Sequence, residues 1–416
     1  MRLAEYSSRI SACLLAVLAI GATLLSGPAA QAVTVLHSFS NSDGNEPTYL
    51  LLAADKTLYG VTFVGGGDGA GSGVLYKIDA RNNFSILHVF QDWPVGDGSL
   101  PSRLLLAPDK SIYGLTASGG PNADGTVYRV DTAGNYAVLH SFDEFKDGGG
   151  PNFLIFAKDG NFYGTASTGG VPEKSCQNHE AHGTLFRMTP AGKVTRLHTF
   201  CEEIDGSIPN SVTEGADGFL YGTCKEDGPN GQSLGAGTFW RVSHSGKVKV
   251  LHVFGPKTLN GEEPTEPNGV LQAPDGFFYG TANGGGLEDE GAIFRATASG
   301  RIKVLHSFDA YGRTGNDPET NFFLADNGFF YGTTAQGGLP IDDPEREGTV
   351  YRADRKGHVE LLHTFSVQDG ATPVAPPVRD PETGTIYATG IRGGADFDGT
   401  TVKFQEKKLQ RNRSRH

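Results

Sequence analysis

Residues 329–365 read FFYGTTAQGGLPIDDPEREGTVYRADRKGHVELLHTF. Four words in this stretch return along the chain: Tyr331-Gly332-Thr333-Thr334, Gly337-Gly338, Gly348-Thr349-Val350-Tyr351 and Leu362-His363-Thr364-Phe365. Leu-His-x-Phe recurs at Leu36, Leu87, Leu139, Leu197, Leu251, Leu305 and Leu362, at gaps of 51, 52, 58, 54, 54 and 57 residues. Tyr-Gly recurs at Tyr59, Tyr113, Tyr163, Tyr221, Tyr279 and Tyr331, with Tyr387-Ala388 as an eroded seventh. The Gly-Thr-Val-Tyr type opens at Gly73, Gly125, Gly183, Gly237, Gly291 and Gly348, and loosens to Gly399-Thr400-Thr401-Val402. A fixed period of this length signals a repeat architecture.

Each copy divides into four strand-like pieces. The first is apolar, as in Leu104-Leu105-Leu106, and in the middle copies a tight Asp-Gly or Asn-Gly turn such as Asp159-Gly160 ends it. Those dipeptides accept the positive φ of a two-residue hairpin. The second carries Tyr-Gly, the third Gly-Thr-Val-Tyr, and the fourth ends in Leu-His-x-Phe. Four antiparallel strands every fifty-odd residues make a propeller blade. The ends of the chain select a ring over a linear stack. Thr34–Phe39 is a fourth strand with no partner before it, and Gly399–Phe404 is a third strand with no fourth after it. Paired together they complete a last blade and remove two open sheet edges. The expected fold is all-β: a seven-bladed β-propeller of four-stranded antiparallel blades over residues 33–404, the last closed by the N-terminal strand.

The words of residues 329–365 resemble the Gloeo/Verruco tandem repeat of secreted bacterial proteins, and the resemblance covers almost the whole chain after residue 32. Blade four departs from it by lacking the Gly-Gly pair after Thr223. The resemblance implies a secreted, propeller-like protein; it implies no particular activity.

Residues 1–32 read as a secretory signal. Arg2 and Arg9 precede an apolar run, Ile10–Leu25, and Ala30-Gln31-Ala32 supplies a cleavage pattern near Ala32. Cys13 lies near the start of the apolar run rather than after it, which disfavours a lipid anchor. A secreted or periplasmic location is expected, with no membrane span. The net charge of the chain is −12; the signal contributes +1 and residues 405–416 contribute +4, so the body carries −17. Such a body repels phosphate backbones, so nucleic acid is not an expected partner. The basic end, 405–416, reads as a solvated tail. Glycine, at 59 of 416 residues, fits many tight turns.

Strand order places the loops after second strands, and the links after fourth strands, on one rim. All length variation falls there, which makes it the working face. The seven repeated histidines, His37, His88, His140, His198, His252, His306 and His363, read as structural, each packing on the Phe two residues on and bonding backbone. The links carry a second word: Asp43–Pro47, Asp97–Pro101, Asp147–Pro151, Asp205–Pro209 and Asp369–Pro373, with Asn260–Pro264 and Gly315–Pro318 as variants. An Asx-type turn explains it, with Asp accepting backbone N–H groups. The alternative is a ring of carboxylates for a cation or amine, and Asp97, Asp147 and Asp205 are the candidates. Trp93, Phe145 and Tyr311 stand in working-face links where the repeat does not require them; such rings suit sugar stacking or protein contact. Three cysteines remain after processing. Cys176 paired with Cys201 would staple one blade, Cys201 with Cys224 would join two, and geometry must choose. Cys176, His179 and His182 sit in the longest insertion at a zinc-like spacing, but no helix fixes it and the cysteine has a competing use. No metal site and no cofactor is expected.

The expected function is a non-catalytic, monomeric binding scaffold presenting its loop-lined face to a glycan or protein. The competing expectation is a lyase or hydrolase of carbohydrates or lactones at the channel mouth. A cluster of unique charged residues there, outside the repeated words, would favour the enzyme.

Overall fold

The structure is a computed structural model that describes residues 32–67, 71–91, 96–172, 176, 180–229, 237–244, 246–255, 263–309, 313–338 and 347–406. Residues 1–31, which hold most of the expected signal of residues 1–32, and residues 407–416 lie outside the described residues.

Seven four-stranded antiparallel sheets are present, each with its strands in chain order except the last. Blade one is Asn45–Leu52, Leu58–Val64, Val74–Ile78 and Phe84–Val89; blade three is Gly149–Phe156, Phe162–Thr168, Thr184–Met188 and Val194–Thr199. Blade seven joins Val378–Arg379, Thr385–Gly390 and Thr400–Gln405 to the N-terminal strand Thr34–Ser38. Thr34 stands opposite Lys403, Val35 opposite Val402 and Ser38 opposite Thr400, and Phe39 N–H donates to the Gly399 carbonyl at 2.9 Å. The ring closes as the orphan strands require. Gln405 belongs to the last strand and Glu406 is held by Arg379 Nε (2.9 Å) and Tyr331 Oη (2.5 Å), so the propeller runs two residues past the expected boundary.

The core lies between blades. Seven apolar clusters occupy the seven seams; one joins Val61, Leu75 and Phe90 of blade one to Leu104, Ile112 and Tyr128 of blade two. This explains the repeated words physically. A Cβ on Gly60 of Tyr-Gly would stand 2.2 Å from Tyr76 Cζ, so that glycine makes room for the ring of the third strand. A Cβ on Gly183 of the third-strand word would meet Pro209 Cδ at 2.4 Å, and the same contact recurs at every seam, including Gly399 against Pro47. Link proline and third-strand glycine are therefore one device, packing each blade on the next. The residue before the proline has positive φ in all seven links: Glu46, Leu100, Gly150, Ile208, Glu266, Asp317 and Thr372, between 50° and 61°. That conformation disfavours side-chain-bearing residues. Here it aims N–H groups across the seam, as Leu100 to the Ser72 carbonyl (3.0 Å) and Ile208 to His182 (3.1 Å).

Candidate functional site

Histidine and link carboxylate form a latch. His140 Nε2 donates to Asp147 Oδ2 at 2.7 Å while Asp147 Oδ1 accepts from Asp143 N–H at 2.8 Å. Asp97 holds His88 (2.8 Å) and Gln91 N–H (2.7 Å); Asp205 holds His198 (2.6 Å) and Cys201 N–H (2.8 Å). Asp43 repeats the pattern with His37 (3.1 Å), and Asp369 stands 3.2 Å from His363 Nε2 as an ion-pair contact without hydrogen-bond geometry. Each of these histidines packs edge-on against the Phe two residues on, at 4.6–5.0 Å. The ring packing is as expected; the polar partner is a carboxylate rather than backbone. Blade five corrects a second reading. There the link word is Glu263–Pro267, not Asn260–Pro264: His252 donates to Glu263 Oε1 at 2.9 Å, and Pro267 is the proline that abuts Gly237.

The other sequence candidates are scattered. Trp93 and Tyr311 lie outside the described residues. Phe145 is 80% exposed on the link between blades two and three, the most exposed large apolar side chain described. Cys176 and Cys201 are joined with Cα atoms 5.6 Å apart, stapling the long insertion within blade three. Cys224 is a buried free thiol, its pKa pushed well up by burial. His179 lies outside the described residues; His182 lies 3.7 Å from Glu202 and 4.0 Å from Glu180. No cluster of three or more metal-ligating side chains occurs among the described residues.

The inner strands of all seven blades enclose an axial cavity of about 700 Å³, a size that suits a small-molecule ligand. The link carboxylates stand away from it. Amides form a belt around its wall: Asn152 donates to the Pro209 carbonyl of the next blade (2.9 Å) and Asn210 to that of Pro267 (2.7 Å). The next position on the inner strands breaks the symmetry. It is Tyr49, Arg103 and Phe153 in blades one to three, but Ser211 and Gly269 in blades four and five. One side of the wall is thus bulky, aromatic and cationic, and the other small.

Blade six adds a residue, Glu319, between the link proline Pro318 and Thr320. Its side chain opens to the cavity yet is flanked by protein. Burial pushes the Glu319 carboxyl above its ordinary range, and the charge of Asp317 adds to the shift while Lys225 opposes it. Asp317 is likewise raised by burial. Lys225 lies 3.8 Å from Glu266, and Lys225 and Glu319 both line the cavity. Ser102 Oγ, Arg103 Nε and Thr320 Oγ1 are buried at this wall with no hydrogen-bond partner among the described residues. None of these was singled out by motif. The available signal was departure from the repeat: a charge at Arg103, and an extra residue at Glu319.

Fold and cavity together define a seven-bladed propeller with a ligand-sized axial chamber. The chain belongs to the Gloeobacter/Verrucomicrobia repeat family, whose model matches residues 23–234 and 213–412. No curated protein matches it. Among solved structures it is similar to virginiamycin B lyase from Staphylococcus aureus (14% identity, TM-score 0.55, covering 90% of this chain and 98% of that one). It is also similar to the periplasmic gluconolactonase of Pseudomonas aeruginosa (17% identity, TM-score 0.52, 77% and 85%). A third likeness is to the extracellular domain of a one-component system protein from B. thetaiotaomicron (13% identity, TM-score 0.56, 90% and 42%). At these identities the likeness is one of fold. No helix among the described residues is long and apolar enough to cross a membrane.

Proposed function

We propose that the protein is an extracytoplasmic binding propeller that takes a saccharide in its axial cavity. The observation that carries this is the cavity wall, which presents the rings of Tyr49 and Phe153 and, without a partner among the described residues, the buried Ser102 Oγ, Arg103 Nε and Thr320 Oγ1. Rings to stack on, beside polar groups that lack a protein partner, suit a sugar's apolar face and hydroxyl edge. The Cys176–Cys201 disulfide supports a location outside the reducing cytosol. Phe145, on the rim, supports a second contact with a glycan or protein.

A hydrolase or lyase acting on carbohydrates or lactones is the second reading. It is favoured by Glu319, a carboxyl absent from the repeat, held above its ordinary range and open to the cavity. Such a group suits general acid–base work. One experiment separates the readings. The chain is screened on a glycan array, and each bound saccharide is then incubated with it and weighed by mass spectrometry. Retention without mass change supports binding alone; turnover abolished by Glu319→Gln supports the enzyme. Retention unaffected by Phe153→Ala would remove the cavity from the account.

A further inference from the structure

Arg103 is a guanidinium in a place where the fold does not ask for one. Its counterparts on the other inner strands include Tyr49, Phe153, Ser211 and Gly269, all uncharged. Arginines elsewhere in the blades have structural uses. Arg129 reaches Asp109 Oδ2 at 3.1 Å, and Arg241 and Arg295 stand over Phe219 and Phe277 at the ends of their own blades. Arg103 instead lines the axial cavity. Its Cζ stands 3.6 Å from the Phe153 ring centroid and 5.3 Å from that of Tyr49, the rings belonging to the blades on either side. Its Nε is buried without a partner, and among the described residues it has no ion pair. In a chain of net charge −12, a cation left without a carboxylate inside a cavity is an exception that needs a counter-charge.

We infer that Arg103 is the anion-binding residue of the axial cavity, and that the saccharide it receives carries a carboxylate: a uronic-acid sugar. The inference rests on the axial cavity being the saccharide site. Stacking on Phe153 leaves the edge of the guanidinium, not its face, for a ligand. The Nη edge offers parallel N–H donors that match a planar carboxylate. The rings fix the fork before the ligand arrives, so little side-chain entropy is lost on binding. The same rings offer their remaining surface to the sugar.

The test is calorimetric titration of the full chain with oligosaccharides of galacturonate, glucuronate and mannuronate, each beside its methyl ester. Esterification removes the charge and leaves the ring. The acid is expected to bind at least about tenfold more tightly than its ester. Arg103→Gln should abolish the difference between acid and ester, and Arg103→Lys should keep part of it. Equal binding of acid and ester by the unmodified chain would overturn the carboxylate inference and leave the saccharide reading standing. Binding of neither would overturn both. Where Arg103→Gln fails to fold, the comparison of acid with ester in the unmodified chain and in Arg103→Lys decides.

Discussion

His306 shows what the latch does by lacking it. Among the described residues its Nε2 is buried with no hydrogen-bond partner, and burial holds its pKa below the ordinary 6.5. Thr314 occupies the latch position: its carbonyl accepts from Thr349 Oγ1 at 2.9 Å, as the carbonyls of Asp147 and Asp205 accept from Thr184 and Thr238 at 2.7 Å. Thr314→Asp should therefore install the missing latch and stabilise the protein by about 1 kcal/mol. The sign with pH follows. A histidine whose folded pKa is lowered costs stability as pH falls below 6.5, because the unfolded chain takes the proton first. Thr314→Asp should shrink that acid loss, measured by urea unfolding from pH 8 to 5.5; an unchanged profile would mean that Thr314 does not face His306. Glu319 carries the opposite sign. Its raised carboxyl favours the protonated folded state, so it destabilises once pH rises through the ordinary 4.5. Glu319→Gln should raise Tm by about 1 °C at pH 7, the cavity solvent screening the rest, and change nothing at pH 3.5. A gain equal at both pH values would assign the effect to packing.

At the scale of strands and links, the Gly–Pro seam is open to a direct comparison. Gly160 and Gly183 both have positive φ, 80° and 111°, but a Cβ on Gly160 meets nothing within 4 Å while one on Gly183 meets Pro209 Cδ at 2.4 Å and the Ala166 carbonyl at 2.6 Å. Gly160→Ala should cost about 1 kcal/mol for backbone strain alone. Gly183→Ala should cost about 3 kcal/mol, the excess being the clash across the seam. Equal costs in denaturant titrations would show that the seam yields. The same contrast explains how much was legible. Strands, turns and ring closure were read correctly because each word meets the same neighbours seven times, so geometry imprints on spacing. What lay between words was hidden. The latch joins residues six to eleven apart through side chains, and its acid is Asp in most blades but the longer Glu263 in blade five, which shifted the reading of that link to Asn260–Pro264. Arg103 and Glu319 were illegible as a site for a different reason. They face one another's surroundings only because blades two and six line one axis, and no local pattern records that. Arg103 surfaces as a charge where other inner strands carry Tyr49, Phe153 and Ser211, and Glu319 as an extra residue, both meaningful once the inner strands are known to enclose a cavity.

For the whole molecule the decisive element is the smallest. The C-terminal portion of the chain gives blade seven only three strands, and Thr34–Ser38 supplies the fourth. That strand brings Phe39, fully buried in the seam between blades seven and one, and His37, stacked on Phe84 at 3.7 Å. The same seam is fastened by Tyr76 Oη with Thr401 (3.0 Å) and by Lys56 Nζ with Asp380 (2.7 Å). Burial alone would raise the Asp380 carboxyl, but the Lys56 hydrogen bond and neighbouring donors outweigh it and hold it at about 2. A carboxyl depressed in this way stabilises above its ordinary 3.8 and loses that contribution as pH falls toward 2. Removing residues 33–40 should thus do two separable things. It deletes the Phe39 packing, at a cost of about 4 kcal/mol. It also bares the edge of Thr400–Gln405, whose unpaired backbone groups then invite another chain. The truncated protein should melt at markedly lower temperature and associate in sedimentation experiments. A synthetic peptide spanning residues 33–40, added in excess, should restore the melting temperature and reverse the association by refilling the strand position. The Lys56–Asp380 pair survives the truncation, so the acid loss between about pH 4 and 2 should persist in the restored protein and shrink in Lys56→Met, where the Glu382 N–H and Thr383 hydroxyl still hold the carboxylate. A truncated chain that melts like the intact one would mean that the ring does not depend on its N-terminal strand.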